Sequence, residues 1–363
     1  MRTSIMRMLN FLLAAAFIGL HGCATTGAPA PKEPEAAPQP NLVNVYYATG
    51  RQPSAERDVY FGAERAELSY GMADVGIPSR HLVGRHEEPT LLRFESTPDD
   101  RKHITVQRKT NYSKDAFYYY LNKAIARSPG GKVLIFVHGY NVEFAEAARS
   151  LGQLASDLKF SPVVLFSWPS QGSLTGYTVD ETNVEWAQSQ FLELLNGIID
   201  QTPAKDIYVV GHSMGTRLIA RGMTTLASDR SAGDLIRFRD IVMIAPDIDS
   251  DVFRRDVAPR LARTNIHVTL YASSGDNALM ASRAFHGYAR AGDSGEGLVV
   301  VPGVETIDAS IASGGLLGHS YFTEDPRIME DLFSLLQSGQ RADNRFALQP
   351  VEDKDGRHWV FRK

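Results

Sequence analysis

The pentapeptide Gly211-His212-Ser213-Met214-Gly215 is the part of this sequence best suited to chemistry. It directly follows the apolar run Ile207–Val210 and opens an amphipathic stretch over 214–227, so it lies at a strand-to-helix turn. Glycines on both sides let backbone segments pack closely there, and such a turn is expected to hold Ser213 strained and exposed at the edge of a sheet. The helix that begins behind it aims free N–H groups and a positive dipole end at the serine. A serine so placed suits nucleophilic attack on a carbonyl carbon. The bland alternative is a glycine-rich packing turn with an incidental serine.

The elements that must position this turn alternate along the chain. Val133–Val137 is a continuous apolar run bounded by Gly131 and Gly139, as expected of a strand buried on both faces of a parallel sheet. Val163–Phe166, Ile207–Val210, Ile241–Ala245 and Val268–Tyr271 repeat the pattern. Between them, helical stripes run over 142–158 (Phe144, Ala148, Leu151, Ala155, Leu158), through Val184–Ile198 and over 214–227, with a last helix over 325–337. Strands alternating with helices predict an α/β fold with a mostly parallel central sheet and right-handed crossovers. Upstream, Leu42–Tyr47, the weaker Val59–Phe61 and Leu68–Tyr70, and His103–Gln107 predict a β-rich extension. A helix follows over 113–127, and a last strand is expected near 298–307.

Composition narrows the function. The 363 residues are 43% hydrophobic and 22% charged, the balance of a soluble globular chain. Lys and Arg number 38 against 42 Asp and Glu, so there is no overall basic surplus of the kind nucleic-acid binding usually needs. One cysteine excludes an intramolecular disulfide framework and any multi-cysteine metal site, and the scattered histidines suggest no metal centre or cofactor. Asp247, Asp249 and Asp251 alternate, but Val252 stands at the sixth loop position, where a calcium loop needs Gly, and Ala258 at the twelfth, where it needs Glu.

The cysteine's position is informative. Arg2 and Arg7 precede the apolar run Met8–Leu20, with no acidic residue before Cys23. Thirteen residues at ~1.5 Å each cover about 20 Å, too short for a bilayer core of about 30 Å, so the segment reads as a signal peptide, residues 1–22. Leu20-His21-Gly22-Cys23 resembles a bacterial lipobox, with Cys23 as the lipidated N-terminus. Ala24 after the cysteine resembles Gram-negative lipoproteins sorted to the outer membrane, facing the periplasm. Loss of 1–22 leaves 36 basic against 42 acidic residues, a charge of −6. Residues 23–41 are rich in Pro and Ala and read as a tether, 42–339 as the folded domain and 340–363 as a polar tail.

Six segments together resemble the bacterial α/β-hydrolase family DUF900: Val45–Arg51, Phe136–Asn141, Phe166–Ser170, Gly211–Gly215, Ala245–Asp249 and Leu270–Ser274. The likeness covers about residues 42–338. It implies the α/β-hydrolase fold and a serine hydrolase whose triad runs nucleophile, acid, histidine. On that order the acid is Asp276, just past Val268–Tyr271, or alternatively Asp247, just past Ile241–Ala245. The base is His319, in the glycine-rich Gly314–Ser320 loop. Of the other histidines after Ser213, His267 opens a strand, His286 stands at the start of the insert between Asp276 and His319, and His358 lies in the polar tail. The resemblance places an oxyanion hole at the backbone N–H of Met214 and one from the His138-Gly139 loop, for which Tyr140 is the choice. His138 and His212 read as structural.

The substrate these residues imply is a carboxylic ester, a thioester or a small amide. Two other functions fit the same residues: a non-catalytic envelope module that binds a ligand in the pocket, and an acyltransferase acting on envelope lipids. Loops 172–183, 250–265 and 284–297 would set the choice of substrate.

Overall fold

The computed structural model describes residues 39–362, apart from 57–58, 90–94, 96, 275–278, 280–281, 283–285, 312–324 and 355. Cys23, the signal-peptide reading and the tether reading up to residue 38 lie outside the described residues, as do Asp276 and His319, whereas Asn41, read as the end of the tether, already belongs to the first strand.

Among the described residues eleven strands form one sheet, in spatial order β10 (Leu348–Asp353), β11 (Gly356–Phe361), β9 (Val304–Asp308), β8 (His267–Ala272), β7 (Phe238–Ile244), β6 (Asp206–His212), β4 (Lys132–Val137), β5 (Val163–Ser167), β1 (Asn41–Pro53), β2 (Phe61–Ile77) and β3 (Thr105–Tyr112). Its middle is parallel: β1, β5, β4, β6, β7, β8 and β9. Both edges turn antiparallel. On one side β2 pairs with β1 and β3 pairs with β2. On the other, β11 joins β9 in parallel and β10 closes the edge.

Side chains alternate through the parallel strands and feed two cores. In β4, Val133, Ile135 and Val137 enter one core while Leu134 and Phe136 enter the other. The first core is covered by α1 (Lys114–Arg127), α3 (Tyr177–Trp186), α4 (Gln188–Gln201) and α5 (Gly215–Asp229), through Phe117, Val184, Phe191 and Leu218. The second is covered by α2 (Phe144–Leu158) and α6 (Pro326–Ser338), through Leu151, Ile328 and Leu332. Helices on both faces of a mostly parallel sheet give the α/β-hydrolase architecture expected from the sequence.

The expected N-terminal β-rich extension is present and continues the main sheet, with Val59–Phe61 and Leu68–Tyr70 at and within one 17-residue strand, β2. Its alternation is blurred because it is exposed at one end and buried at the other. Residues 340–363, read as a polar tail, contain the β10–β11 hairpin. Leu348, Trp359 and Phe361 anchor it in the second core while charged residues cover its outer face.

Candidate active site

Strand register brings the site together. Val137 pairs with Gly211, so the His138-Gly139 turn leaves β4 beside the turn carrying Ser213. His212 pairs with Ile244, which sets Ala245-Pro246-Asp247 on the other flank of the serine.

Ser213 has φ +51°, in the left-handed region that a non-glycine residue rarely occupies. Its environment holds it there. The Ser213 N–H donates to Ile244 O at 2.9 Å, and its carbonyl accepts from Thr216 N–H at 3.0 Å, Thr216 Oγ1 at 2.6 Å and Asp247 N–H at 3.3 Å. The side-chain Oγ makes no hydrogen bond among the described residues. Behind it α5 begins with no side-chain cap. Met214 is fully buried, and its backbone N–H has no partner among the described residues. A buried N–H is almost always paired, so an open one beside a strained serine is a ready donor for an oxyanion.

The two turns interlock through their glycines. A Cβ on Gly215 would run into the backbone carbonyl oxygen of His138, and one on Gly139 would lie 3.0 Å from Ser213 Cβ and 2.9 Å from His212 Nδ1. Without those methyl groups the loop that carries Tyr140 sits directly against the serine turn.

That loop is pinned from three elements. Arg51, at the end of β1, is buried, and its guanidinium donates to Ser167 Oγ (2.9 Å), Ser170 O (2.9 Å), Val142 O (2.6 Å) and Gly62 O (3.1 Å). Burial lowers its pKa to about 10, against the opposing pull of Asp180, Glu143 and Glu146. Asp180 of α3 is also buried. It accepts from Ser170 Oγ (2.6 Å), Gln171 N–H (2.7 Å) and Asn141 N–H (3.3 Å), and burial raises its pKa despite those bonds. Ser170 Oγ in turn accepts from Val142 N–H at 3.1 Å.

His138 belongs to the same brace. Its ring stacks on Trp168, with centroids 5.1 Å apart and planes 12° from parallel, and the indole N–H donates to His138 O at 2.9 Å. Nδ1 lies 2.8 Å from Gly139 O and Nε2 lies 3.2 Å from Ser167 Oγ. A consistent assignment puts the proton on Nδ1, donating to Gly139 O, while Nε2 accepts from the Ser167 hydroxyl, which accepts from Arg51. Burial and the Arg51 charge hold the imidazole pKa down to about 3, so it is neutral. The structural role read for His138 agrees with this geometry. His212 is buried at the end of β6.

Asp247 is fully engaged. Oδ1 accepts from Ser282 Oγ and Arg290 Nε, each at 2.7 Å, and Oδ2 from Tyr177 OH (2.7 Å) and Arg217 (3.0 Å). Two donors on each oxygen satisfy the carboxylate, and among the described residues no histidine touches it. Burial alone would raise its pKa, but the two arginines and the two hydroxyls outweigh that and hold it at about 2. Arg217 extends the network to Glu181 (2.9 Å), which His286 Nε2 also reaches (2.8 Å). Tyr177 meets Tyr140 edge-on at 5.2 Å and His286 at 5.8 Å, forming an aromatic wall beside the serine turn. His267 pairs with Asp240 (2.6 Å) and Glu305 (3.1 Å) at the start of β8, and His358 lies in β11.

The sequence reading missed Arg51 and Asp180 as site supports. Arg51 ends the quoted Val45–Arg51 segment, and a charge closing a buried strand was a usable signal. Asp180 gave none, lying in a loop assigned to substrate choice.

The chain belongs to the family described as alpha/beta hydrolase of unknown function (DUF900), which matches residues 113–338. An uncharacterized protein, alr1448, of Nostoc sp. (strain PCC 7120) is 29% identical over 133 residues, covering 30% of this chain and 35% of that protein. The chain thus spans about a third of the length of that curated relative. Among solved structures, esterases from Rhizomucor miehei align at 12% identity over 83% of this chain and 85% of that one, with a TM-score of 0.35. Phospholipase PlaB from Legionella pneumophila, in complex with thio-NAD, aligns at 13% identity over 64% and 67%, with a TM-score of 0.30. The metagenomic carboxyl esterase MGS0156 aligns at 15% identity over 56% and 74%, with a TM-score of 0.31.

Proposed function

We propose that this α/β hydrolase is a serine esterase that cleaves a carboxylic ester, or a thioester or amide, through an acyl-enzyme on Ser213. One observation carries the reading: Ser213 is held at φ +51° at a helix N-terminus, and the buried N–H of Met214 beside it has no partner among the described residues. Strain of about 1–3 kcal/mol persists only where surrounding bonds over-determine it, and four backbone and side-chain bonds do so here.

In the proposed reaction Ser213 Oγ attacks the carbonyl carbon as its proton passes to the His319 imidazole, oriented by Asp276. The carbonyl oxygen, now anionic, receives hydrogen bonds from the Met214 and Tyr140 N–H groups. The bond to the leaving alcohol breaks as His319 returns the proton to it. Water then attacks the acyl carbon with the same base, releasing the acid and restoring Ser213. The saturation of Asp247 favours Asp276 as the acid, because Asp247 has no lone pair left for an imidazole. We assign Asp247 instead to fixing the wall of the site. Lipidation at Cys23, with an outer-membrane position facing the periplasm, belongs to the same proposal and rests on the sequence alone.

Turnover of p-nitrophenyl esters of increasing chain length, by the parent and by Ser213→Ala, tests the reading. Hydrolysis lost in the variant supports it, and equal rates in both refute it.

A further inference from the structure

A cavity of about 680 Å³ opens at the end of the sheet opposite Ser213. Its walls include Tyr208 and Asp240, near the starts of β6 and β7, whereas Ser213 follows the far end of β6. Seven strand residues separate the two ends by about 20 Å, so the cavity is distinct from the proposed ester cleft. Its volume lies within the range of small-molecule sites, about 300–1,000 Å³.

Its lining is cationic. Arg230, Arg239, Arg260, Arg263 and Arg341 all border it. Three are braced by carboxylates: Arg230 by Asp200 at 2.8 Å, Arg239 by Asp206 at 3.0 Å and Arg341 by Asp240 at 3.0 Å. Asp240 also takes a bond from His267 Nδ1 at 2.6 Å, so its charge is already shared between two partners. Arg260 and Arg263 are exposed on the helical stretch that follows β7, and their side chains make no ion pair or hydrogen bond among the described residues. The nearby Asp256 is held by Arg255 at 2.6 Å. Two guanidinium groups therefore border the cavity without a paired carboxylate, Arg260 feeling only the through-space charge of Asp256, next to three more whose positions are fixed. Ile236, 68% exposed, adds an apolar rim.

We propose that this cavity binds a phosphate ester carrying an apolar portion. Planar guanidinium forks match phosphate oxygens in pairs, and braced arginines lose less freedom on binding than free ones. Ile236 receives the apolar part. A membrane phospholipid headgroup and a soluble phosphate ester share this chemistry.

The test titrates the full chain at physiological ionic strength with pyrophosphate by calorimetry. In parallel it measures co-sedimentation with phosphatidylcholine vesicles, plain or doped with phosphatidylglycerol. The comparison chain is Arg260→Gln/Arg263→Gln, with far-ultraviolet circular dichroism as the fold control. Single Arg263→Gln replaces it should the double variant unfold. Saturable pyrophosphate binding that weakens about tenfold or more in the double variant, or severalfold in the single one, supports the proposal. Phosphatidylglycerol-dependent sedimentation that falls in the variant assigns the ligand to the membrane, and its absence alongside pyrophosphate binding assigns a soluble ester. Failure of the parent to bind either probe, or equal binding by parent and variant, overturns it.

Discussion

Gly215 and His138 are in direct backbone contact: the space where a Cβ of Gly215 would stand is taken by the carbonyl oxygen of His138. The second glycine of the serine turn therefore sets how closely the loop carrying Tyr140 approaches Ser213. Gly215→Ala must push one turn off the other. We expect a stability loss of about 1–3 kcal/mol and a kcat loss of about a hundredfold, because ångström displacements at a reacting centre have that scale. Gly211→Ala is the control. Its added methyl meets the Ile219 side-chain tip, which can turn away, so its effect should be clearly smaller. Urea unfolding and ester turnover on both variants check the ranking.

Asp247→Asn should act first on stability. It leaves Arg217 and Arg290 facing a neutral amide in a buried site. Breaking a buried pair costs about 3–5 kcal/mol, or roughly 5–8 °C in melting temperature for a domain of this size. Asp276→Asn should instead leave melting nearly unchanged and lower kcat by orders of magnitude. Scanning calorimetry and kinetics on the pair separate the roles. A stable Asp247→Asn with a collapsed kcat would return the acid to Asp247.

Arg51→Lys should disturb the loop of Tyr140 from a distance. A single ammonium cannot reach Ser167, Ser170, Val142 and Gly62 together, as the guanidinium does. The expected result is a kcat drop of about tenfold to a hundredfold with KM little changed, since the substrate-facing side chains remain. A rise in KM at constant kcat would contradict a positioning role.

Two histidines give the stability curve opposite slopes. His138 is neutral in the fold, with its pKa near 3 against about 6.5 unfolded, so the unfolded chain binds its proton first. Its contribution is complete above pH 6.5 and declines below, by about 1.4 kcal/mol per pH unit toward pH 3. His81 lies 2.7 Å from both Asp157 and Glu87. Burial opposes its charge, but the two carboxylates outweigh that and raise its pKa to about 9. Its contribution is complete below pH 6.5 and fades as pH rises through 9. Imidazole nitrogen resonances followed by NMR should show His138 neutral at pH 5, with its single ring proton on Nδ1, and His81 doubly protonated and charged at pH 8. Titration of His138 near 6.5 would contradict the brace around it.

The parallel strands were legible because burial on both faces leaves short, continuous apolar runs, as in Val133–Val137. The serine turn was legible because its glycines, the strand before it and the helix after it agree. The C-terminal hairpin was hidden because it gives the second core only Leu348, Trp359 and Phe361, three apolar residues scattered through a largely polar stretch. The saturation of Asp247 was hidden because its partners come from positions 177, 217, 282 and 290, a grouping that only the folded chain creates.

Fluorophosphonate labelling tests the central claim most directly. The probe phosphonylates a serine hydroxyl only where a base removes its proton and an oxyanion hole receives the charge. Peptide mass spectrometry of the treated protein should place one adduct on Ser213, absent after Ser213→Ala and strongly slowed in His319→Ala. An unlabelled Ser213 in folded protein, or an adduct that persists after Ser213→Ala, would contradict the account.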